Sequence, residues 1–218
     1  MPSLLSCAIL AILLLLIAGP IVYFLRRERH RAQRMKNAAV ALGLSFSRHG
    51  PPDLPPELSH FHLFSEGRYR RITNVMKGRV DGIDLEIFEY EFNFGSEESL
   101  EAERQTVICF RVPGFDLPTF SLRPKKTVHR IAALLGYQDI VMGNHPEFTR
   151  NYLLRGPDVT AIRGLFYEGL VAFYDAHPGL STEGRGDLLL YYRSARRVEP
   201  EALLEFLREG SKIVALFQ

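Results

Sequence analysis

The first 25 positions carry no Lys, Arg, Asp, Glu or His, and beyond them the chain breaks into short alternating and helical segments. Leu4 to Leu25 is an apolar run interrupted only by Ser6, Cys7, Gly19 and Pro20. As a helix at about 1.5 Å per residue it reaches about 33 Å, enough for a hydrocarbon core of about 30 Å. Tyr23 stands where an interfacial aromatic belongs. The run lacks a basic leader, exceeds the roughly 7–15 residues of a signal peptide's apolar segment, and is followed by no Ala-x-Ala site. The pattern therefore predicts an uncleaved transmembrane helix over 1–25.

Charge adds an orientation. Arg26, Arg27, Arg29, Arg31, Arg34 and Lys36 stand against Glu28 alone, so residues 26–36 carry +5. These six side chains are read as the membrane-surface residues. By the positive-inside rule they predict a single-pass protein of the inner (plasma) membrane, N-terminus outside and the rest cytoplasmic. Attraction of such a collar to anionic lipid is generic, about 1 kcal/mol per residue, and names no particular lipid. Residues 37–218 hold 21 basic and 24 acidic residues, a net −3, so the overall +2 does not describe the soluble part. That balance excludes nucleic-acid binding by bulk charge.

The helix is expected to continue to Gly43, a suitable cap. Pro51, Pro52, Pro55 and Pro56 then read as an extended connector. The expected division is a transmembrane helix over 1–25, a basic juxtamembrane helix and Pro-rich linker over 26–59, and a cytoplasmic α+β domain over 60–218. Asp81-Gly82 between alternating segments predicts a two-residue hairpin turn. Its ladder sets Arg79 against Asp84 and Lys77 against Glu86 on one side. Val80–Ile83, Gly78–Leu85 and Met76–Ile87 pair on the other. The apolar positions then change phase, from Ile83, Leu85 and Ile87 to Phe88, Tyr90, Phe92 and Phe94. Either a bulge lies near Ile87-Phe88 or the strand passes from one cover to another.

Gly95 to Glu103 reads as a mobile acidic loop, within a stretch from Asp81 to Glu103 that holds nine acids and no Lys or Arg. Gln105 to Val112 predicts a strand with Cys109 as an inert core thiol, and Phe120 to Leu122 a short edge strand. Helical spacing appears over Thr127–Leu135 and from Pro157-Asp158 to about Tyr174. Strands are expected at Asn151–Arg155 and Asp187–Arg193. Pro200 opens a last helix with Leu203, Leu204, Leu207, Val214 and Phe217 inward. The fold class is α+β: an N-terminal transmembrane helix followed by a mainly antiparallel sheet with packed helices.

Chemistry is sparse. No phosphate-binding loop or nucleophile elbow occurs. Gly184-Arg185-Gly186 lacks the third glycine of a dinucleotide turn and precedes a strand, so it reads as a tight turn. His60-x-His62 sets two imidazoles near each other but nominates no third ligand. The acidic loop lacks calcium-loop spacing. His145 with Glu147, and Asp187 beside Arg185, are the weak acid–base candidates. Cysteine spacing supports neither a disulfide framework nor a thiolate zinc site. No catalytic residue, cofactor or metal site is assigned.

The chain resembles a family of bacterial single-span membrane proteins with one cytoplasmic α+β domain and no known activity. The likeness rests on Ala41-Leu42-Gly43-Leu44-Ser45-Phe46, Asn74-Val75-Met76-Lys77-Gly78, Glu89-Tyr90-Glu91-Phe92, Arg104-Gln105-Thr106-Val107, His145-Pro146-Glu147-Phe148 and Glu183-Gly184-Arg185-Gly186-Asp187-Leu188-Leu189. It implies a shared fold and topology and no activity. The sequence thus favours a membrane-anchored interaction or scaffold protein, with the lipid bilayer and a protein as partners and the oligomeric state open. The alternatives are a tethered small-molecule or lipid-binding domain and an enzyme with an unrecognised site.

Overall fold

The computed structural model describes the backbone of residues 4–96, 99–125 and 139–218, and the side chains of those residues except 4–13, 15, 96, 99 and 100. Eight strands form one antiparallel sheet: β1 (Ser45–His49), β2 (Arg68–Val80), β3 (Ile83–Ser96), β4 (Ser99–Arg111), β5 (Leu117–Pro124), β6 (Tyr152–Arg155), β7 (Ser181–Gly186) and β8 (Leu188–Tyr192), in spatial order β1-β2-β3-β4-β8-β7-β5-β6. The helices are α1 (Leu4–Ala41), α2 (His62–Ser65), α3 (Pro146–Asn151), α4 (Val159–Leu165), α5 (Glu168–Ala176) and α6 (Leu203–Leu216). The α+β class and the mainly antiparallel sheet are as the sequence predicts.

The hairpin register is also as predicted. Arg79 pairs Asp84, Lys77 pairs Glu86, Gly78 pairs Leu85 and Met76 pairs Ile87. Asp81 and Gly82 carry the turn at φ +51° and +81°, a backbone that a two-residue hairpin loop demands and Asp-Gly tolerates.

The phase change in β3 is resolved by a second cover. Its pairing to β4 runs unbroken from Asp84↔Arg111 to Ser96↔Ser99. Leu85 and Ile87 face a core built with Met35 and Ala39 of α1 and with α3–α6. Phe88, Tyr90 and Phe92 face a second core roofed by Leu58, Phe61, Leu63 and Phe64. Both faces of the central strands are therefore buried, which explains their continuous apolar runs. The bulge lies instead on β2, where the register to β3 shifts between Thr73 and Met76 and Asn74 sits at φ +49°.

Several expectations need correction. The sheet begins at Ser45, ahead of the Pro-rich stretch and of His60, because β1 pairs with β2 through Phe46↔Met76. The expected acidic loop 95–103 is strand over its described residues, since the β3–β4 register continues through Gly95↔Leu100 to Ser96↔Ser99. β5 is an interior strand between β7 and β6 and not an edge. The helix expected over 157–174 is two, broken at Phe166-Tyr167; the turn buries Val171 and Tyr174 and leaves Phe173 half-buried. In α6, Leu204 is exposed, while Phe206 and Ile213 complete the buried stripe. The helix expected at 127–135 lies outside the described residues.

α1 runs without interruption through Pro20 for 38 residues, about 57 Å. Its C-terminal half lies on the sheet through Arg31, Ala32, Met35 and Ala39, an i, i+1, i+4, i+8 stripe that is buried. The side chains described between Leu14 and Leu25 are exposed, Ile17 by 64% and Tyr23 by 69%. Among the described residues no helix is long and apolar enough to cross a membrane, so the transmembrane helix expected over 1–25 is not supported by the structure.

Candidate functional site

Two places on the domain concentrate unusual chemistry: the junction of α1 with the sheet, and a groove on the opposite face.

At the junction, Glu89 occupies the helix-side register that Leu85 and Ile87 hold earlier in β3. It is only 5% exposed. Arg31 Nε donates to its Oε1 at 2.7 Å, Asn74 Nδ2 to its Oε2 at 2.6 Å, and Arg197 Nε and Nη2 at 3.0 and 2.9 Å. Burial alone would raise the Glu89 carboxyl, but the hydrogen bonds from Arg197 and Arg31 outweigh it and hold the group below its ordinary value. Arg197 reaches on to Glu28, whose carboxyl it also lowers through a bidentate hydrogen bond. Arg31 Nη2 closes the knot on the carbonyl of Val198 at 2.6 Å. One turn up the helix, the Arg104 guanidinium lies 5.5 Å from the centre of the Phe24 ring, within the range of a cation–π contact.

On the other face, a groove of about 590 Å³ opens between the Pro-rich segment and strands β2, β3, β4 and β8. Leu58, Ile72, Val75, Phe88, Cys109 and Leu188 make its floor. Burial pushes the Cys109 thiol up to about 12, so it is no nucleophile at neutral pH. The rim is a row of ion pairs: Lys77 Nζ to Glu86 at 2.7 Å, Arg79 to Asp84 twice at 2.8 Å, and Arg111 to Asp187 at 2.9 Å and Glu57 at 3.0 Å.

The roof beside the groove is pinned from below. Glu183, fully buried on β7, accepts the backbone N–H groups of His62 at 2.6 Å and Leu63 at 3.1 Å, and the Tyr192 hydroxyl at 2.7 Å. Arg123 Nη1 donates to Glu66 at 2.7 Å, and His62 Nδ1 lies 2.9 Å from the same carboxylate. Burial pushes the Glu183 carboxyl up, against the opposing pull of His62, Tyr192 and Arg123. Upstream, Gly50 donates to the Ile72 carbonyl at 3.1 Å. A Cβ there would stand 2.7 Å from that oxygen, so only glycine lets the chain pass this close.

The predicted site residues fare unequally. Arg26, Arg27, Arg29 and Lys36 are exposed on α1. Arg31 is not a membrane-surface residue: it is 9% exposed and spent on Glu89. Helical spacing puts it on the sheet-facing stripe with Ala32 and Met35. Arg34 is engaged by Glu201 and Glu199. Glu147 turns to Arg150, and Asp187 to Arg111, so neither proposed acid–base pair is brought together. His60 is exposed while His62 is buried. Among the described residues no group of three or more His, Cys, Asp or Glu side chains could hold a metal ion.

Glu89, Asn74, Arg197 and Glu183 escaped the sequence reading. The hairpin ladder carried one signal: extended without a bulge, it sets Asn74 opposite Glu89, two polar groups in a register otherwise apolar.

No family model matches this chain, and neither does any curated protein. Among solved structures, the chain is similar to the crystal structure of the mycobacterial trehalose monomycolate transport factor A, TtfA. The TM-score is 0.62 at 16% identity, over 87% of this chain and 96% of that one. At this identity the likeness concerns the fold.

Proposed function

We propose that the chain is a single-pass protein of the inner (plasma) membrane, with its N-terminus outside, and that its α+β domain works at the cytoplasmic face as an interaction module. The observation that carries the reading is α1: one helix that is apolar in sequence from Leu4, with its described side chains between Leu14 and Leu25 exposed, and bolted to the sheet by Arg31 and Glu89. A contiguous row of exposed apolar side chains calls for a cover, and a bilayer is one that would suit the apolar sequence from Leu4 to Leu25. Tethering raises the domain's effective concentration at the membrane, so weak partner contacts suffice. The reading agrees with the chain's resemblance to bacterial single-span membrane proteins.

An alkaline carbonate wash of vesicles tests the anchor. The intact chain is expected in the pellet, and protease added outside sealed cells is expected to spare residues 45–218. Release into the wash, or digestion of the domain, overturns the proposal.

A second reading, binding of a lipid or other small amphiphile by the tethered domain, is favoured by the apolar-floored groove beside Leu58 and Phe88. The fold neighbour is a trehalose monomycolate transport factor, which supports a lipid-related role in the same direction.

A further inference from the structure

The groove's lining dictates what can lie in it. Its floor consists of Leu58, Ile72, Val75, Phe88, Cys109 and Leu188. Among the described residues, the buried side-chain polar atoms that lack a hydrogen bond belong to none of the groove's lining side chains. Outside the β2 bulge at Asn74 and Val75, the strands β2, β3, β4 and β8 run in paired register along the groove. A peptide or a sugar laid on this floor would leave its own donors and acceptors unpaired, at a cost of about 1–3 kcal/mol each. Hydrocarbon loses nothing there and gains about 25 cal/mol per Å² buried.

The rim sets a second condition. Lys77, Arg79 and Arg111 stand against Glu86, Asp84, Glu57 and Asp187, three cations and four carboxylates, with every cation already paired. A head group with net charge would have to break one of these pairs, whereas a zwitterionic or uncharged head can bridge a pair and leave it intact. A volume of about 590 Å³ falls within the roughly 300–1,000 Å³ of small-molecule sites. The wall of the groove is tied to the sheet by Gly50 N–H on the Ile72 carbonyl at 3.1 Å and by Glu57 on Arg111 at 3.0 Å, so the cleft is part of the folded domain.

We propose that this groove binds a single-chain amphiphile with a zwitterionic or uncharged head, its acyl tail on the floor formed by Leu58, Val75 and Phe88 and its head against the Lys77–Glu86 and Arg79–Asp84 pairs. The proposal rests on the second reading above and gives it a place and a ligand class.

The test uses the full chain in phosphatidylcholine vesicles with lysophosphatidylcholine bearing a diazirine in its acyl tail. After illumination, label is located by peptide mass spectrometry. The expected result is label within residues 55–58, 72–78 and 85–88, lost on adding excess unlabelled lysophosphatidylcholine but retained on adding palmitate. Pro55→Trp, which places an indole in the groove mouth, is expected to abolish that label with an unchanged circular-dichroism melt. The competition arm on the unmodified chain stands even if the variant misfolds. Competed label elsewhere in residues 45–218 overturns this site while the amphiphile-binding reading survives. Label confined to residues 4–25 overturns both and leaves only the anchor. Equal competition by palmitate overturns the head-group assignment.

Discussion

Arg31 Nε donates to Glu89 Oε1 across 2.7 Å, joining two residues 58 positions apart. The bond fixes a helix that starts at Leu4 to the third strand of the sheet, both partners almost out of solvent. The chain does not hang from its N-terminal segment by a flexible linker; helix and sheet meet through a buried charge cluster.

Removing the acid from that cluster should be severe. Glu89→Ala leaves Arg31 and Arg197 without their shared partner in a buried site, and breaking such a network typically costs about 3–5 kcal/mol. Arg29→Ala, on the exposed side of the same helix, should stay within about 0.5 kcal/mol. Chemical unfolding of the full chain in detergent micelles, followed by circular dichroism, compares the two. Similar midpoints would show that the cluster contributes nothing beyond a surface pair.

The same carboxylate gives an acid limit. Its pKa is lower in the folded chain than in the unfolded one, so its stabilisation is fully present above the unfolded value, near the ordinary 4.5, and is lost as pH falls through the lowered value. Glu28 shifts in the same direction. Melting temperature should therefore fall steeply below about pH 4.5, and the fall should be shallower in Glu89→Gln. An equal slope in the two proteins would contradict the assignment.

Glu183 works with the opposite sign. Burial raises its pKa in the folded state, so the folded chain holds the proton more tightly and loses stability as pH rises from the ordinary value of 4.5 toward the raised one. Glu183→Gln cannot ionise, yet it gives up one acceptor for the His62 and Leu63 amides. It is expected to be less stable than the unmodified chain at pH 4.5, with a difference that narrows by pH 8. A difference that widens with pH would show that the ionised carboxylate is the favoured form.

The basic collar separates into two jobs. Arg26, Arg27 and Arg29 are exposed, whereas Arg31 and Arg34 are held by Glu89 and Glu201. If the chain is anchored as proposed, Arg26→Glu with Arg27→Glu and Arg29→Glu should weaken its orientation in the membrane without shifting the melt. Arg31→Ala should lower the melt and leave orientation alone. Protease protection in sealed vesicles reads the first property and thermal unfolding the second; orientation loss in Arg31→Ala alone would reverse this division.

What the sequence determined is local. Asp81-Gly82 allowed one tight turn, and opposite charges at 79 and 84 and at 77 and 86 selected one register, because a slip of one residue would turn every apolar group to the wrong face. The antiparallel α+β class followed from the same short-range alternation. The apolar run and its arginines were legible because composition alone marks them. Tertiary structure decided the rest. That Phe88, Tyr90 and Phe92 face a second core depends on residues 58–64 crossing the sheet, a contact between distant segments that no local period encodes. That Arg31 serves Glu89, and not the membrane surface, depends on which side of α1 meets the sheet. The groove exists only where the Pro-rich segment, the charged ladder and β8 converge, and its floor residues, read singly along the chain, are indistinguishable from ordinary core.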